Sequence, residues 1–338
     1  MRTSYTFLKG KGFENILKIE KEGVFSGYIA VHNTTRGPAL GGCRIWKYDE
    51  KEDALLDAMA LAEAMSYKNC MADLPYGGGK TAIHVYDTNY DKFAILEDIA
   101  HGVEKLDGSY IIAEDVGVSC EDLDSVRKIT NHVVEKAAGD PGPITAKGVF
   151  YSIEWYRNTI NKLPENMTVL VQGVGSVGRA LVRQLLENGY KVAISDIRQE
   201  NIKEFENRTE VIEPSRVYEY ECDVFAPCAL GGVINDETVK KFDCKAIIGS
   251  ANNPVSNINV VWKLLERGIF YAPDFIVNAG GVIQVTGFVD GVYNPEIVEK
   301  KLLNIPLMLE SIRREAEKTQ TPDYIIALRM AKLRLKLA

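Results

Sequence analysis

The chain has 338 residues, 46% hydrophobic and 26% charged, enough for two domains of ordinary size with substantial cores. A net charge of −7 without a basic cluster argues against nucleic acid or an anionic membrane surface as the main partner. No apolar run is long enough to span a bilayer, Met1–Tyr5 has no signal-like stretch, and Cys43, Cys70, Cys120, Cys222, Cys228 and Cys244 form no C-x-x-C pair; the expectation is a cytoplasmic protein with reduced thiols and no metal.

Asp49 with Glu52 has the spacing of a capping box. Leu55, Met59, Ala62 and Met65 then repeat at helical spacing, predicting a helix that ends near Lys68. Gly77-Gly78-Gly79 reads as a turn ending at Lys80, where the missing Cβ atoms allow unusual dihedrals and close approach to a ligand. Thr81 to Tyr86 is a β-rich run and Lys92 to Leu106 a helix. Tyr110 to Ala113 is a short strand that delivers Glu114 and Asp115 at its end, and Ser119 with Asp122 caps the next helix. Ala138 to Pro143, alternating Gly and Pro, reads as a linker. Beyond it come a strand at Met167 to Val171, a helix from Ser176 to Asn188 stopped by Gly189, and a strand at Lys191 to Ser195 ending in Asp196. Further strands are expected at 223–226, 245–249 and 275–278, and this alternation predicts a parallel sheet covered by helices.

Gly173-Val174-Gly175-Ser176-Val177-Gly178 lies between an expected strand and helix, the context a dinucleotide loop requires. The first glycine makes the turn, the second lets a pyrophosphate approach, and the third lets the helix pack on the strand. The helix N-terminus then faces the phosphates. Asp196 at the end of the following strand can accept the ribose hydroxyls and would repel a 2′-phosphate, which favours NAD over NADP. Lys68 and Lys80 read singly as solvated charges. Near one site they can divide two tasks, an ammonium that binds a carboxylate and a neutral amine that acts as base. Asp115 could pass a proton to or from a reacting nitrogen.

These residues carry a resemblance. Gly37-Pro38-Ala39-Leu40-Gly41-Gly42-Cys43-Arg44, Tyr67-Lys68-Asn69, Gly77 to Lys80, Glu114 to Gly117, Pro143 to Ala146, Ala226 to Gly231, Ser250 to Asn253 and Asn278 to Gly281 resemble the Glu/Leu/Phe/Val amino-acid dehydrogenase superfamily, nearest its leucine/phenylalanine/tryptophan branch. The resemblance implies that Lys68 holds the substrate α-carboxylate with the backbone at Gly41 and Gly42, that Lys80 activates water, and that Asp115 moves protons on the amino group. It implies cofactor contacts from Thr145, Gly173, Gly175, Ser176, Val177, Gly178, Asp196, Ile197, Ala229, Leu230 and Asn252. Asn253 and Asn278 would position nicotinamide or substrate. Glutamate enzymes of the family carry lysine where this chain has Leu40. The implied side-chain pocket of Leu40, Ala113, Val282 and Val285 is aliphatic, and Met65 reads both as core and as a substrate contact.

The expected fold is α/β with two domains and a cleft between them that closes on substrate. A substrate-binding domain spans 1–138 plus 322–338, and a Rossmann-type NAD-binding domain spans 139–321. The expected function is NAD-dependent deamination of a branched-chain L-amino acid to the 2-oxo acid and ammonia, by a homo-oligomer. The rivals are the same chemistry on aromatic amino acids and a non-catalytic nicotinamide-responsive regulator.

Overall fold

The computed structural model describes residues 2–134, 139–289 and 292–337. They form two compact units, Met1–Ala137 with Ala331–Ala338, and Ala138–Met330.

The first unit contains β1 (Ser4–Leu8), β2 (Asn15–Lys21), β3 (Phe25–Asn33), β4 (Ala39–Trp46), α1 (Asp53–Met71), β5 (Gly77–Val85), α2 (Lys92–Glu104), β6 (Tyr110–Glu114) and α3 (Leu123–Arg127). Its sheet has the order β1-β2-β3-β5-β4-β6. It is mixed: β4 runs parallel to β5 and β6, and the pairs from β1 through β3 to β5 are antiparallel. The triple glycine is not a turn but the start of β5, a strand buried along its whole length. A Cβ at Gly78 would overlap the backbone nitrogen and hydroxyl of Ser66 on α1, and one at Gly79 would lie 2.6 Å from the Tyr110 ring. Close approach from both faces therefore explains these glycines, and the dihedral freedom of a turn does not. The face that α1 buries is built from Ala54, Ala58 and Ala62, clustered with Ala30 and Ala82 of the sheet, while Leu55 and Met59 are only partly buried. Small side chains let the helix sit low on a strand that lacks side chains itself. The capping box at Asp49 does not form: Glu52 caps α1 without a side-chain bond, and Asp53 instead accepts the Glu50 amide at 3.2 Å. The helix also continues past Lys68 to Met71. The reciprocal Ser119–Asp122 pair is present at 2.8 and 3.2 Å.

The second unit contains α4 (Gly142–Thr159), β7 (Thr168–Gln172), α5 (Ser176–Glu187), β8 (Lys191–Ser195), α6 (Gln199–Ile202), β9 (Glu210–Val211), β10 (Cys222–Pro227), β11 (Cys244–Ile247), α7 (Ile258–Glu266) and β12 (Phe270–Tyr271). After these come α8 (Asp274–Val277), α9 (Gly280–Val285), β13 (Phe288–Val289), β14 (Val292–Tyr293), α10 (Pro295–Leu302), α11 (Asn304–Thr319) and α12 (Asp323–Arg334). The main sheet is parallel in the order β12-β11-β10-β7-β8-β9, the doubly wound dinucleotide-binding arrangement, with its order reversing between β7 and β10. Three expectations are corrected. The run at 275–278 belongs to helix α8 and its C-cap, and the last strand of the sheet is β12; a short apolar run fits either state. Gly142-Pro143 opens α4, with proline in the first turn where its missing N–H costs nothing, and Ala138 lies outside the described residues. The chain rejoins the first unit at Ala331, not at residue 322, because Tyr324 packs its ring on Tyr271 and Phe275 of the second unit.

Candidate active site

In the first unit, Lys80 and Asp115 meet. Lys80 is 7% exposed in the middle of β5, and its Nζ lies 2.7 Å from Asp115 Oδ2, just past the end of β6. Gly42 of β4 makes the meeting sterically possible, since a Cβ there would lie 2.7 Å from Asp115 Cβ and 3.1 Å from Lys80 Nζ. Arg44, two residues along the same strand face, places Nε 3.1 Å from the same Asp115 oxygen and Nη1 2.9 Å from Asp57 Oδ2 on α1. Burial alone would push the Asp115 carboxyl up, but Lys80 and then Arg44 outweigh it and hold the group below the usual carboxylate range. Lys68 is half-buried in the last turn of α1, the helix packed on β5. Leu40 is 2% exposed and pairs in register with Ile111, as Gly42 pairs with Ala113. The Gly41 carbonyl accepts the hydroxyl of fully buried Tyr110 at 2.8 Å, and that hydroxyl accepts from Thr81 at 3.0 Å. Met65 is half-buried on α1.

In the second unit the glycine loop follows β7 at the reversal of strand order. Gly173 has φ +90°, and a Cβ there would lie 2.7 Å from Ala229 Cβ, which follows β10. A Cβ at Gly178 would overlap the Gly173 carbonyl, so α5 packs directly on the turn. Asp196 Oδ2 accepts the Val174 amide at 2.7 Å and the Asn201 side chain at 3.1 Å, while Oδ1 accepts the Arg198 amide at 2.8 Å. Burial raises this carboxyl, but those donors outweigh it and leave it below the usual range.

Residues 14–132 match the family described as Glu/Leu/Phe/Val dehydrogenase, dimerisation domain, and residues 196–288 match Glutamate/Leucine/Phenylalanine/Valine dehydrogenase. The chain is 38% identical to leucine dehydrogenase of Thermoactinomyces intermedius and 39% identical to that of Geobacillus stearothermophilus, over 98% of this chain and 93% of each relative. The crystal structure of L-tryptophan dehydrogenase from Nostoc punctiforme is similar at a TM-score of 0.83 and 33% identity, covering 96% of both chains. The chain belongs to the Glu/Leu/Phe/Val dehydrogenase family. It is an amino-acid dehydrogenase of the leucine/phenylalanine/tryptophan branch.

The dehydrogenases of this family use NAD, and the second unit suits it. Gly175 has φ −75° and a Cβ there would meet nothing within 4 Å among the described residues, so neither backbone nor packing demands glycine, and the space is open to a group as large as a diphosphate. Gly175 caps α5 with no side chain to bond the first-turn amides, and the Ser176 hydroxyl donates to Asp140. Ile197 and Leu230 are apolar yet 84% and 81% exposed after β8 and β10. Asn278 is buried and donates to Asn252 Oδ1 at 3.1 Å, while its own Oδ1 has no hydrogen-bond partner among the described residues. Thr145 on α4 lies against Gly280, and Asn253 is exposed at φ +47° with its amide on Asp274. Val282 and Val285 are half-buried on α9. Asp196 departs in detail from the expectation, because three local donors leave about one of its roughly four acceptor positions for a ribose.

Sequence reasoning gave no role to Arg44, Tyr48, Asp57, Thr81 or Tyr110. The spacing of Gly42 and Arg44 on one strand face was the available signal for the first of these; Asp57 and Tyr110 are brought in by tertiary packing alone. Among the described residues no cluster of His, Cys, Asp or Glu could hold a metal ion, and no helix is long and apolar enough to cross a membrane.

Proposed function

We propose that this dehydrogenase oxidatively deaminates branched aliphatic L-amino acids to 2-oxo acids and ammonia, and runs the reverse reductive amination. The observation that carries the reading is the Lys80–Asp115 pair beside Gly42, with the aliphatic, buried Leu40 on the same strand. A second carboxylate buried against Leu40 would lack a partner, and an unpaired buried charge costs more than the roughly 2–7 kcal/mol of an unpaired neutral polar group, which disfavours glutamate.

Bound NAD supplies the hydride acceptor. The Lys68 ammonium and the Gly41–Gly42 backbone hold the α-carboxylate, and the Tyr110 hydroxyl fixes that backbone. Asp115 takes a proton from the substrate ammonium, so that the nitrogen lone pair can drive hydride loss from Cα. Neutral Lys80 takes a proton from the water that adds to the iminium carbon. Asp115 returns its proton to the nitrogen, and the carbinolamine hydroxyl gives its proton to the departing amine as the intermediate collapses to the 2-oxo acid and ammonium, Lys80 then releasing its proton to solvent. Leu40, Ala113, Val282 and Val285 are the residues assigned to the aliphatic side chain. Thr145, the glycine loop, Asp196, Ile197, Ala229, Leu230 and Asn252 are assigned to NAD, and Asn253 and Asn278 to nicotinamide or substrate.

Aromatic substrates are the second reading, favoured by the likeness to a tryptophan dehydrogenase and by the Phe288–Tyr293 ring pair 5.3 Å apart just after α9. One methylene in an apolar pocket is worth only about 1–3 kcal/mol, so the choice falls to assay. NADH absorbance with NAD and each standard amino acid at alkaline pH tests both. Turnover of leucine, valine or isoleucine is expected, and turnover of phenylalanine or tryptophan alone would replace the aliphatic reading. Silence on every substrate from folded, NAD-binding protein would leave the regulatory reading. Lys80→Ala is expected to lose turnover while keeping NAD affinity, and ordinary turnover in it would refute its role. The reading also includes a cytoplasmic homo-oligomer, supported by the free cysteines and by the dimerisation-domain match. A monomer mass in light scattering would overturn the oligomer.

A further inference from the structure

One oxygen of Asp115 serves two cations. Lys80 Nζ is 2.7 Å and Arg44 Nε 3.1 Å from Oδ2. The far side of the guanidinium is fixed in turn: Nη1 bonds Asp57 Oδ2, which also accepts the Tyr48 hydroxyl at 2.6 Å. Arg44 is therefore a planar fork held between one carboxylate on α1 and another just past β6.

In the proposed chemistry these cations are not equivalent. Lys80 must give up its proton to act as a base, whereas a guanidinium stays charged at any working pH. Once Lys80 is neutral, the largely buried Asp115 would tend to take up a proton, because burial favours the uncharged acid. A protonated Asp115 could no longer accept a proton from the substrate ammonium. The titratable groups facing Asp115 are Lys80 from β5, Arg44 and the Cys43 thiol from β4, and the Tyr110 phenol from β6, with Asp57 of α1 and Tyr48 behind Arg44. Burial pushes Cys43 and Tyr110 well up, so both stay neutral, and among these groups Arg44 alone carries a permanent positive charge.

We infer that Arg44 is a positioning residue that keeps Asp115 ionised and in one orientation while Lys80 alternates between charged and neutral. The two proton-transfer groups are thereby uncoupled, and each can change state without dragging the other. This rests on the deamination chemistry proposed above.

The test is the pH profile of kcat/KM for wild type, Arg44→Gln and Arg44→Lys, each also on an Asp115→Asn background. Arg44→Gln is expected to move the acid limb up by about one pH unit, the lower end of what a neighbouring opposite charge does, and to lower kcat at neutral pH roughly tenfold or more. Arg44→Lys keeps the charge but not the fork, so its limb is expected to stay near that of wild type while kcat falls. On the Asp115→Asn background the Arg44 changes are expected to add less than about twofold, since their effect runs through the carboxylate. NAD affinity reports the other unit and is expected to hold throughout. An active wild type with an unmoved acid limb in Arg44→Gln, or full additivity with Asp115→Asn, would overturn the inference alone. Should Arg44→Gln fail to fold, a wild-type kcat in Arg44→Lys would overturn it instead. No amino-acid turnover by wild type would bring down the deamination reading and this inference with it.

Discussion

Tyr110→Phe tests the tether that holds the Gly41–Gly42 backbone. The Tyr110 hydroxyl, fully buried on β6, donates to Gly41 of β4 at 2.8 Å and accepts from Thr81 of β5 at 3.0 Å. Phenylalanine keeps the ring that occupies the space left by Gly79 but strands both partners. The Thr81 hydroxyl can rotate to another acceptor, whereas the Gly41 carbonyl is fixed in its strand. An orphaned buried polar group costs about 1–3 kcal/mol, so one fixed orphan and one partly relieved give roughly 2–3 kcal/mol. For a unit of this size that is a fall of roughly 6–10 °C in its unfolding midpoint. Scanning calorimetry measures the midpoint, and steady-state kinetics should show a higher KM for the amino acid with unchanged NAD affinity. Thr81→Val keeps the bond to Gly41 and is expected to cost about half as much. A Tyr110→Phe midpoint within about 1 °C of wild type, or a larger loss from Thr81→Val, would refute the reasoning.

Gly178→Ala puts a Cβ into the Gly173 carbonyl, and calorimetric titration is expected to show NAD weakened at least about tenfold, roughly 1.4 kcal/mol; unchanged binding would mean that α5 can lift without disturbing the loop. Asp196→Ala is expected to weaken NAD more than NADP, and also to loosen the loop through the lost Val174 bond; an unchanged NAD-to-NADP ratio would count against the ribose contact. Burial raises the Asp323 carboxyl to about 6. Between its ordinary value near 4 and about 6, the folded chain keeps a proton that the unfolded chain has released, so stability falls as pH rises through that window. Asp323→Asn removes this penalty and is expected to gain on wild type between pH 4 and 7 by up to roughly 2 kcal/mol, the lost Arg313 ion pair offsetting part of the gain. A constant difference across that range in urea melts would contradict it.

The second unit was the more legible in sequence. Its strands and helices alternate, and the glycine loop and Asp196 sit at strand ends where local pattern and tertiary role coincide. The first unit was harder because its signals arise from packing. Gly77-Gly78-Gly79 looks like a turn to any local rule, and only Ser66 and Tyr110, distant in sequence, show why a buried strand must be bare there. The alanines of α1 carry too weak an apolar signal to outvote Leu55 and Met59, although they are the face that docks. Asp274 to Val277 is too short for periodicity to separate helix from strand. Lys68, Lys80 and Asp115 were singled out from type and motif, but the fork of Arg44 between two carboxylates needed coordinates.

The return of the chain to its first unit at Ala331 sets an order of events during synthesis. Asn33 at the end of β3 and Thr35 just after it donate to the Leu335 carbonyl, and the Cys70 thiol lies 4.0 Å from that of Ala331. Those partners are translated only after the whole of the second unit. The nucleotide-binding unit can therefore fold on the ribosome as a contiguous stretch, while the unit carrying Lys80 and Asp115 waits, incomplete, for its closing segment. A nascent chain stalled before Ala331 would expose that unfinished edge to chaperones, and a bulky fusion joined there would disturb the catalytic unit before the cofactor unit, although the sequence around it belongs to the latter.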